Sequence, residues 1–246
     1  MRHYFNLKFY VPIIFIGLLG HFTTGCFIDD AFDCERGNGN DITETFSVRD
    51  FTGVRLTMDA NVFITQGEVQ DVTITAQANI IDELQLRVRN DVLIIDTDRC
   101  IRDFNEVDIF ITIPEIRELS LSGSGKIIGE NTFLVEDIEL NLTGSGDIDL
   151  GLEAEYIRGA ISGSGEVTLE GKGRSLDYRI SGSGDLSAFD LFVRQADLTI
   201  SGSGDMEVFV EEFLDVRISG SGDVMYKGNP EIDSRVSGSG NVIDAN

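Results

Sequence analysis

Seven near-copies of one hexapeptide mark the chain: LSGSGK (Leu121–Lys126), LTGSGD (Leu142–Asp147), ISGSGE (Ile161–Glu166), ISGSGD (Ile180–Asp185, Ile200–Asp205 and Ile218–Asp223) and VSGSGN (Val236–Asn241). Their first hydroxyl residues stand at 122, 143, 162, 181, 201, 219 and 237, at intervals of 21, 19, 19, 20, 18 and 18. Helical repeats need units of about 33 residues or more. Between the motifs, Ile, Leu and Val fall on alternate positions, as in Leu214, Val216 and Ile218, which is the period of a strand.

The alternation keeps its phase through the motif. Counting by twos from Ile218 gives Gly220, Gly222, Val224 and Tyr226, so the glycines share the apolar side, and Ser219, Ser221 and Asp223 take the other. Glycine inside a strand pattern marks a bend or a close approach of backbones. About 19 residues at roughly 3.3 Å each trace a perimeter of about 60 Å, which cannot bury its own apolar row. Stacked coils can, with neighbours about 4.8 Å apart and each motif above the last. The fold class expected is therefore all-β, a single-stranded parallel β-helix (β-solenoid) with rungs of about 18–21 residues.

The first half alternates less regularly. Val54–Gly67 lays Leu56, Thr57 and Asn61–Val62 over the motif template and is expected to be a degenerate first rung. Pro114 falls where a strand ends, a position that tolerates a missing ladder donor. Residues 46–246 are expected to form one continuous domain, with irregular coils over 46–121 and GSG coils over 122–246. A polar, Gly-rich tether spans 26–45.

Residues 1–25 have the pattern of an export signal: Arg2 and Lys8, an apolar core over 9–22, then TTGC at Thr23–Cys26. The core is short for a membrane span, and an uncleaved anchor is the alternative. TTGC resembles a bacterial lipobox, with Thr23 where Leu is usual, which makes Cys26 the expected acylated first residue. The acidic FIDDAFD that follows resembles surface-export tags of Bacteroidetes-type lipoproteins. The expected location is therefore the outer membrane, on the cell surface rather than in the periplasm, with membrane contact only through the lipid. With Cys26 lipidated, Cys34 and Cys100 remain in an oxidising compartment, as one disulfide or as two free thiols. A bridge would stabilise by about 4 kcal/mol through loop closure.

Cleavage before Cys26 would leave 17 basic residues against 43 acidic ones, a formal charge of −26, with neither His nor Trp. Such a surface repels nucleic acid and anionic headgroups. CERGNG near the mature start, FTGVRL, a later DRC and the serial SGSGD rungs together resemble the head GIN domain family, labelled autotransporter adhesin and found among extracytoplasmic proteins of Bacteroidetes-type bacteria. That resemblance implies a right-handed β-helix. No translocator barrel follows Asn246 in this sequence, so the chain is not expected to be an autotransporter itself.

An enzyme on this scaffold would need an acid–base pair or a metal. Without histidine its bases reduce to carboxylates and arginines, and no acid stands out by motif. GSG is followed by no P-loop Lys-Ser/Thr, so it is no phosphate cradle. The residues after each GSG include Asp147, Glu166, Asp185, Asp205 and Asp223, carboxylates on five successive rungs. They would either share cations, for which extracellular Ca2+ is the suited ion, or stand solvated at a turn that favours Asp. The serines would form parallel hydroxyl ladders that face a glycan, another solenoid or ice, or bond to one another. Sugar stacking would fall to Tyr156, Tyr178 and Tyr226. The expected function is a non-enzymatic envelope binding or adhesion module, whose partner is a surface glycan or an envelope or matrix protein. A polysaccharide lyase or hydrolase (or its remnant) and a structural spacer are the alternatives.

Overall fold

The computed structural model describes residues 34–246, so the expected signal segment and Cys26 lie outside the described residues. From Phe133 onward the chain runs in long bent strands (Phe133–Gly144, Asp147–Gly163, Glu166–Gly182, Asp185–Gly202, Met206–Gly220), each parallel to the next. This is a parallel β-solenoid of stacked coils. Leu121, Leu142, Ile161, Ile180, Ile200 and Ile218 form one inward column in ladder register. Ile127, Ile148, Val167, Leu186, Met206 and Val224 form another beyond the motif. All twelve are at most 2% exposed. Burying a side chain of this size stabilises by roughly 1.5–3 kcal/mol, so every coil contributes its share of one continuous core.

The motif has the phase its alternation requires. The second glycine of every copy is buried and the serine between the two glycines is exposed. What selects glycine is the neighbouring coil. Gly220 has φ +147°, and a Cβ there would lie 2.0 Å from the carbonyl oxygen of Gly202. A Cβ on Gly222 would lie 2.0 Å from the Gly204 oxygen. The clash therefore runs along the stack, backbone against backbone, rather than into a narrowed interior. The Ser221 N–H donates to the Gly202 oxygen at 2.8 Å, and the same bond recurs from Ser203 to Gly182 and from Ser183 to Gly163.

Gly159 makes room of another kind. A Cβ there would come 2.2 Å from Cε2 of Tyr178, its ladder partner, whose ring fills the interior. Tyr178 is fully buried, its hydroxyl has no hydrogen-bond partner, and burial pushes the phenol above the ordinary tyrosine range. It is therefore unavailable for sugar stacking.

The N-terminal coils depart from chain order. Gly53–Leu56 and Asn61–Gln66 do lie beneath the motif coil, with Leu56 opposite Leu121 and Val62 opposite Ile127. Below them, however, sit Val92–Thr97 and Asp108–Ile113, later in sequence but earlier in the stack. The chain returns through antiparallel strands, Asp71–Gln77 on Asp108–Ile113 and Leu84–Arg89 on Val92–Thr97. The reversal is built by turn chemistry. Asn90 and Asp91, at φ 50° and 61°, form the two-residue turn that joins paired Arg89 and Val92. The ordered body also starts before residue 46, because Asp41–Thr45 pairs antiparallel with Thr73–Gln77 and Glu35–Arg36 pairs with Ile101–Arg102. Cys34 and Cys100 are disulfide-bonded beside this end, with Cα atoms 4.5 Å apart.

Gly220→Ala should therefore destabilise by roughly 2–3 kcal/mol or more, since backbone cannot yield as a side chain can. Ser221→Ala, exposed on the other side, should stay within about 0.5 kcal/mol. Thermal melts of the two variants decide it, and equal melting points would remove close coil approach as the reason for glycine.

Candidate ligand-binding groove

Outside the core, the coils carry three kinds of polar column. The first is the acid ladder. The Asp205 N–H donates to Oδ1 of Asp185 at 2.8 Å, Asp223 N–H to Asp205 at 2.7 Å, and Asn241 N–H to Asp223 at 2.7 Å. One coil earlier the Asp185 N–H is bonded to the Gly165 carbonyl instead. From Asp185 onward the short carboxylate thus accepts the inter-coil bond that a backbone oxygen accepts below. Asp147 pairs with Lys126 at 3.0 Å, and Glu166 accepts from the Ser187 hydroxyl at 2.9 Å. Among the described residues no group of three or more His, Cys, Asp or Glu side chains could hold a metal ion.

The second column lies on the face before the motif, where acids and arginines interleave. Arg158 meets Asp137 at 3.2 Å, Arg179 meets Asp177 at 3.2 Å, and Arg217 meets both Asp197 (3.0 Å) and Asp215 (2.7 Å). The hydrogen bond that Arg217 donates to Asp197, then the carboxylate charges of Asp197 and Asp215, raise the Arg217 pKa further. These charges are committed to one another.

The third set forms a groove. After Leu152 the alternation slips, and Glu155 and Tyr156 are exposed in succession before Ile157 turns inward. The slip is a corner, repeated coil after coil. Its floor is the column Val135, Ala154, Gly173, Val193, which is small in the middle. One wall runs Leu134, Glu153, Lys172, Phe192 in ladder register. The other carries Glu136, Glu155, Arg174, Arg194 and Glu211, and together they enclose about 1090 Å³. Leu134 is 64% exposed and Phe192 45%, the latter tilted against Phe209 at 4.7 Å. Arg174 reaches Glu155 at 3.8 Å, whereas Lys172 and Arg194 make no ion pair among the described residues. Of the other two lysines among the described residues, Lys126 is paired with Asp147 and Lys227 sits over the Phe189 ring at 4.1 Å. Uncommitted positive charge is thus set in the middle of this groove, beside exposed apolar surface.

None of the groove residues was singled out by motif. The signal was the break in alternation at each corner, with small residues at 154 and 173.

A family model described as "Putative auto-transporter adhesin, head GIN domain" matches residues 50–230. The chain belongs to the head GIN domain family. Among solved structures, a "putative adhesin" of Bacteroides fragilis superposes with a TM-score of 0.81 at 25% identity, covering 85% of this chain and 98% of that one. A "putative lipid binding protein" of Parabacteroides distasonis gives 0.72 at 25% identity, covering 85% and 99%. No curated protein matches the chain. The family and its structural neighbours carry adhesin or binding labels rather than those of enzymes. This GIN domain therefore presents an adhesin fold with a built groove on one corner.

The ladder makes a specific demand of this GIN domain. Asp205→Ala should cost roughly 1 kcal/mol by orphaning the Asp223 N–H, while Asp205→Asn, whose amide oxygen keeps an acceptor in place, should change little. Calcium should leave the melting temperature of the unaltered protein and of both variants nearly unchanged. A calcium-induced rise lost in Asp205→Asn would instead establish the cation ladder.

Proposed function

We propose that the protein is an exported, non-enzymatic adhesion module whose corner groove binds an acidic surface glycan. The observation that carries this is the placement of Lys172 and Arg194, without ion-pair partners among the described residues, on adjacent coils beside exposed Phe192, with exposed Leu134 at the far end of the same wall. The groove spans five coils, about 19 Å along the stack, enough for several sugar units laid lengthwise. An acidic group would centre on Lys172, Arg174 and Arg194, with hydroxyls reaching the flanking glutamates, and Phe192 offers a face for stacking. The lipid-binding label of one structural neighbour favours a second reading, in which an anionic headgroup fills the same centre and an acyl chain lies on Leu134.

A glycan, matrix-protein and anionic-lipid array on residues 34–246, with and without calcium, separates these readings. Acidic glycans should be retained, and Lys172→Glu with Arg194→Glu should weaken them at least about tenfold. Retention unaffected by the double variant would refute the groove. Retention of lipids alone would favour the second reading, and shortened glycan in the eluate would make the protein an enzyme.

The proposal includes lipid anchoring at Cys26. Cys26→Ala should move the protein from the detergent phase to the aqueous phase, and unchanged partitioning would refute acylation there. Protease shaving of intact cells reads out surface exposure.

A further inference from the structure

The two ends of the solenoid are unlike. Antiparallel strands cover the first layer, and Asp41–Thr45 adds one more strand outside Asp71–Gln77, while Leu84–Arg89 has no ladder partner on its outer edge among the described residues. At the other end, strand Glu231–Gly238 pairs along one edge with Phe213–Gly220 and has no partner on its other edge among the described residues. Its inward positions hold Ile232, Ser234 and Val236, opposite Leu214, Val216 and Ile218. Those three partners are at most 2% exposed, whereas Ile232 is 38% and Val236 45% exposed, with Ile243 nearby at 39%. An apolar row on an open strand edge is a template for another strand.

The residues of the strand say which one. In an antiparallel pair the directly opposed side chains lie on the same face. Centre such a pair on Ser234, and Ile232 meets Val236 of a second copy, Asp233 meets its Arg235, and Ser234 meets its own counterpart. Apolar faces apolar on the inner side, and on the outer side Asp233 and Arg235, paired within one strand at 3.2 Å, would each face the opposite charge of the other copy, twice over by symmetry. Joining this end to the opposite end of another copy would instead set Glu231–Gly238 against Leu84–Arg89, the outermost strand of the same column, and would build an open filament rather than a closed dimer.

We infer that the chain self-associates by two-fold antiparallel pairing of Glu231–Gly238 from two copies, centred on Ser234. The pairing continues the sheet from one solenoid into the next and covers Ile232 and Val236. Cys34, where the described chain begins, is bonded to Cys100 beside the opposite end, so the two N-terminal ends point away from each other. Resting on the adhesion reading above, this geometry makes a second copy on a facing surface a partner in adhesion.

The compact unit Cys34–Asn246 is the material for the test. In equilibrium sedimentation the unit should show a concentration-dependent dimer. Asp233→Arg should weaken that dimer about tenfold by setting like charges opposite one another at both symmetric positions, and adding Arg235→Asp should restore it. Ser234→Cys should oxidise to a covalent dimer, because directly opposed Cα atoms lie about 4.5–5.5 Å apart, within disulfide reach. Asp233→Cys, opposite Arg235, should not, and thermal melts of each variant check folding. A monomer at all concentrations, a dimer indifferent to Asp233→Arg, or equal cross-linking of the two cysteine variants would overturn the pairing. Beads carrying the unit by its N-terminal end should clump for the unaltered protein and the double swap only. A solution dimer whose beads stay dispersed would overturn adhesion between surfaces while leaving the pairing intact.

Discussion

The distance between stacked backbones at the motif governs this molecule, because a Cβ on Gly220 or Gly222 would lie 2.0 Å from a carbonyl oxygen of the coil below. Only glycine lets the coils close to hydrogen-bonding distance there, and the Ser221 N–H then reaches the Gly202 oxygen at 2.8 Å. Closure at the bend holds the strands on either side in register, so that Ile200 falls above Ile180 and Met206 above Leu186. The core columns, the outer ion-pair face and the groove all follow from that register. Seven copies of one hexapeptide are one contact repeated at each level.

Register also sorts the charges of a strongly acidic chain. Carboxylates after the motif accept inter-coil N–H bonds from Asp185 upward, and those on the face before it are interleaved with arginines. Both arrangements commit charge to structure. Lys172 and Arg194 at the corner make no ion pair among the described residues, and Asp233 and Arg235 on the open edge, paired with each other at 3.2 Å, are both exposed where a partner can reach them. The binding readings rest on this division between charges that hold coils together and charges that face outward.

Period and phase were legible in the sequence because every coil repeats them: the motif intervals give the rung, and the count from Ile218 to Tyr226 puts glycine inward and serine outward. The degenerate rung over Val54–Gly67 was legible for the same reason, as Leu56 and Val62 lie in register with Leu121 and Ile127. The permuted N-terminal layers were not, because alternation looks alike in parallel and antiparallel strands. The informative signal was the Asn90-Asp91 turn, which reverses the chain and lets residues 92–113 pass beneath 53–66. The aspartates read as a shared-cation or solvated row gave no hint of their N–H partners, which depend on the height of one coil over the next. The groove was hidden too, since its floor and walls come from residues about 19 apart that mean little within any one coil.

Amide hydrogen exchange at the motif serines tests coil closure most directly. Ser183, Ser203 and Ser221 have exposed side chains, yet their N–H groups are bonded to glycine oxygens of the coil below at 2.8 Å. These amides should exchange as slowly as those of Ile200 and Ile218 in the core columns, opening only with global unfolding. Exchange at the rate of a solvated turn would contradict coil closure, because the motif would then be a loop between strands rather than the contact that stacks them.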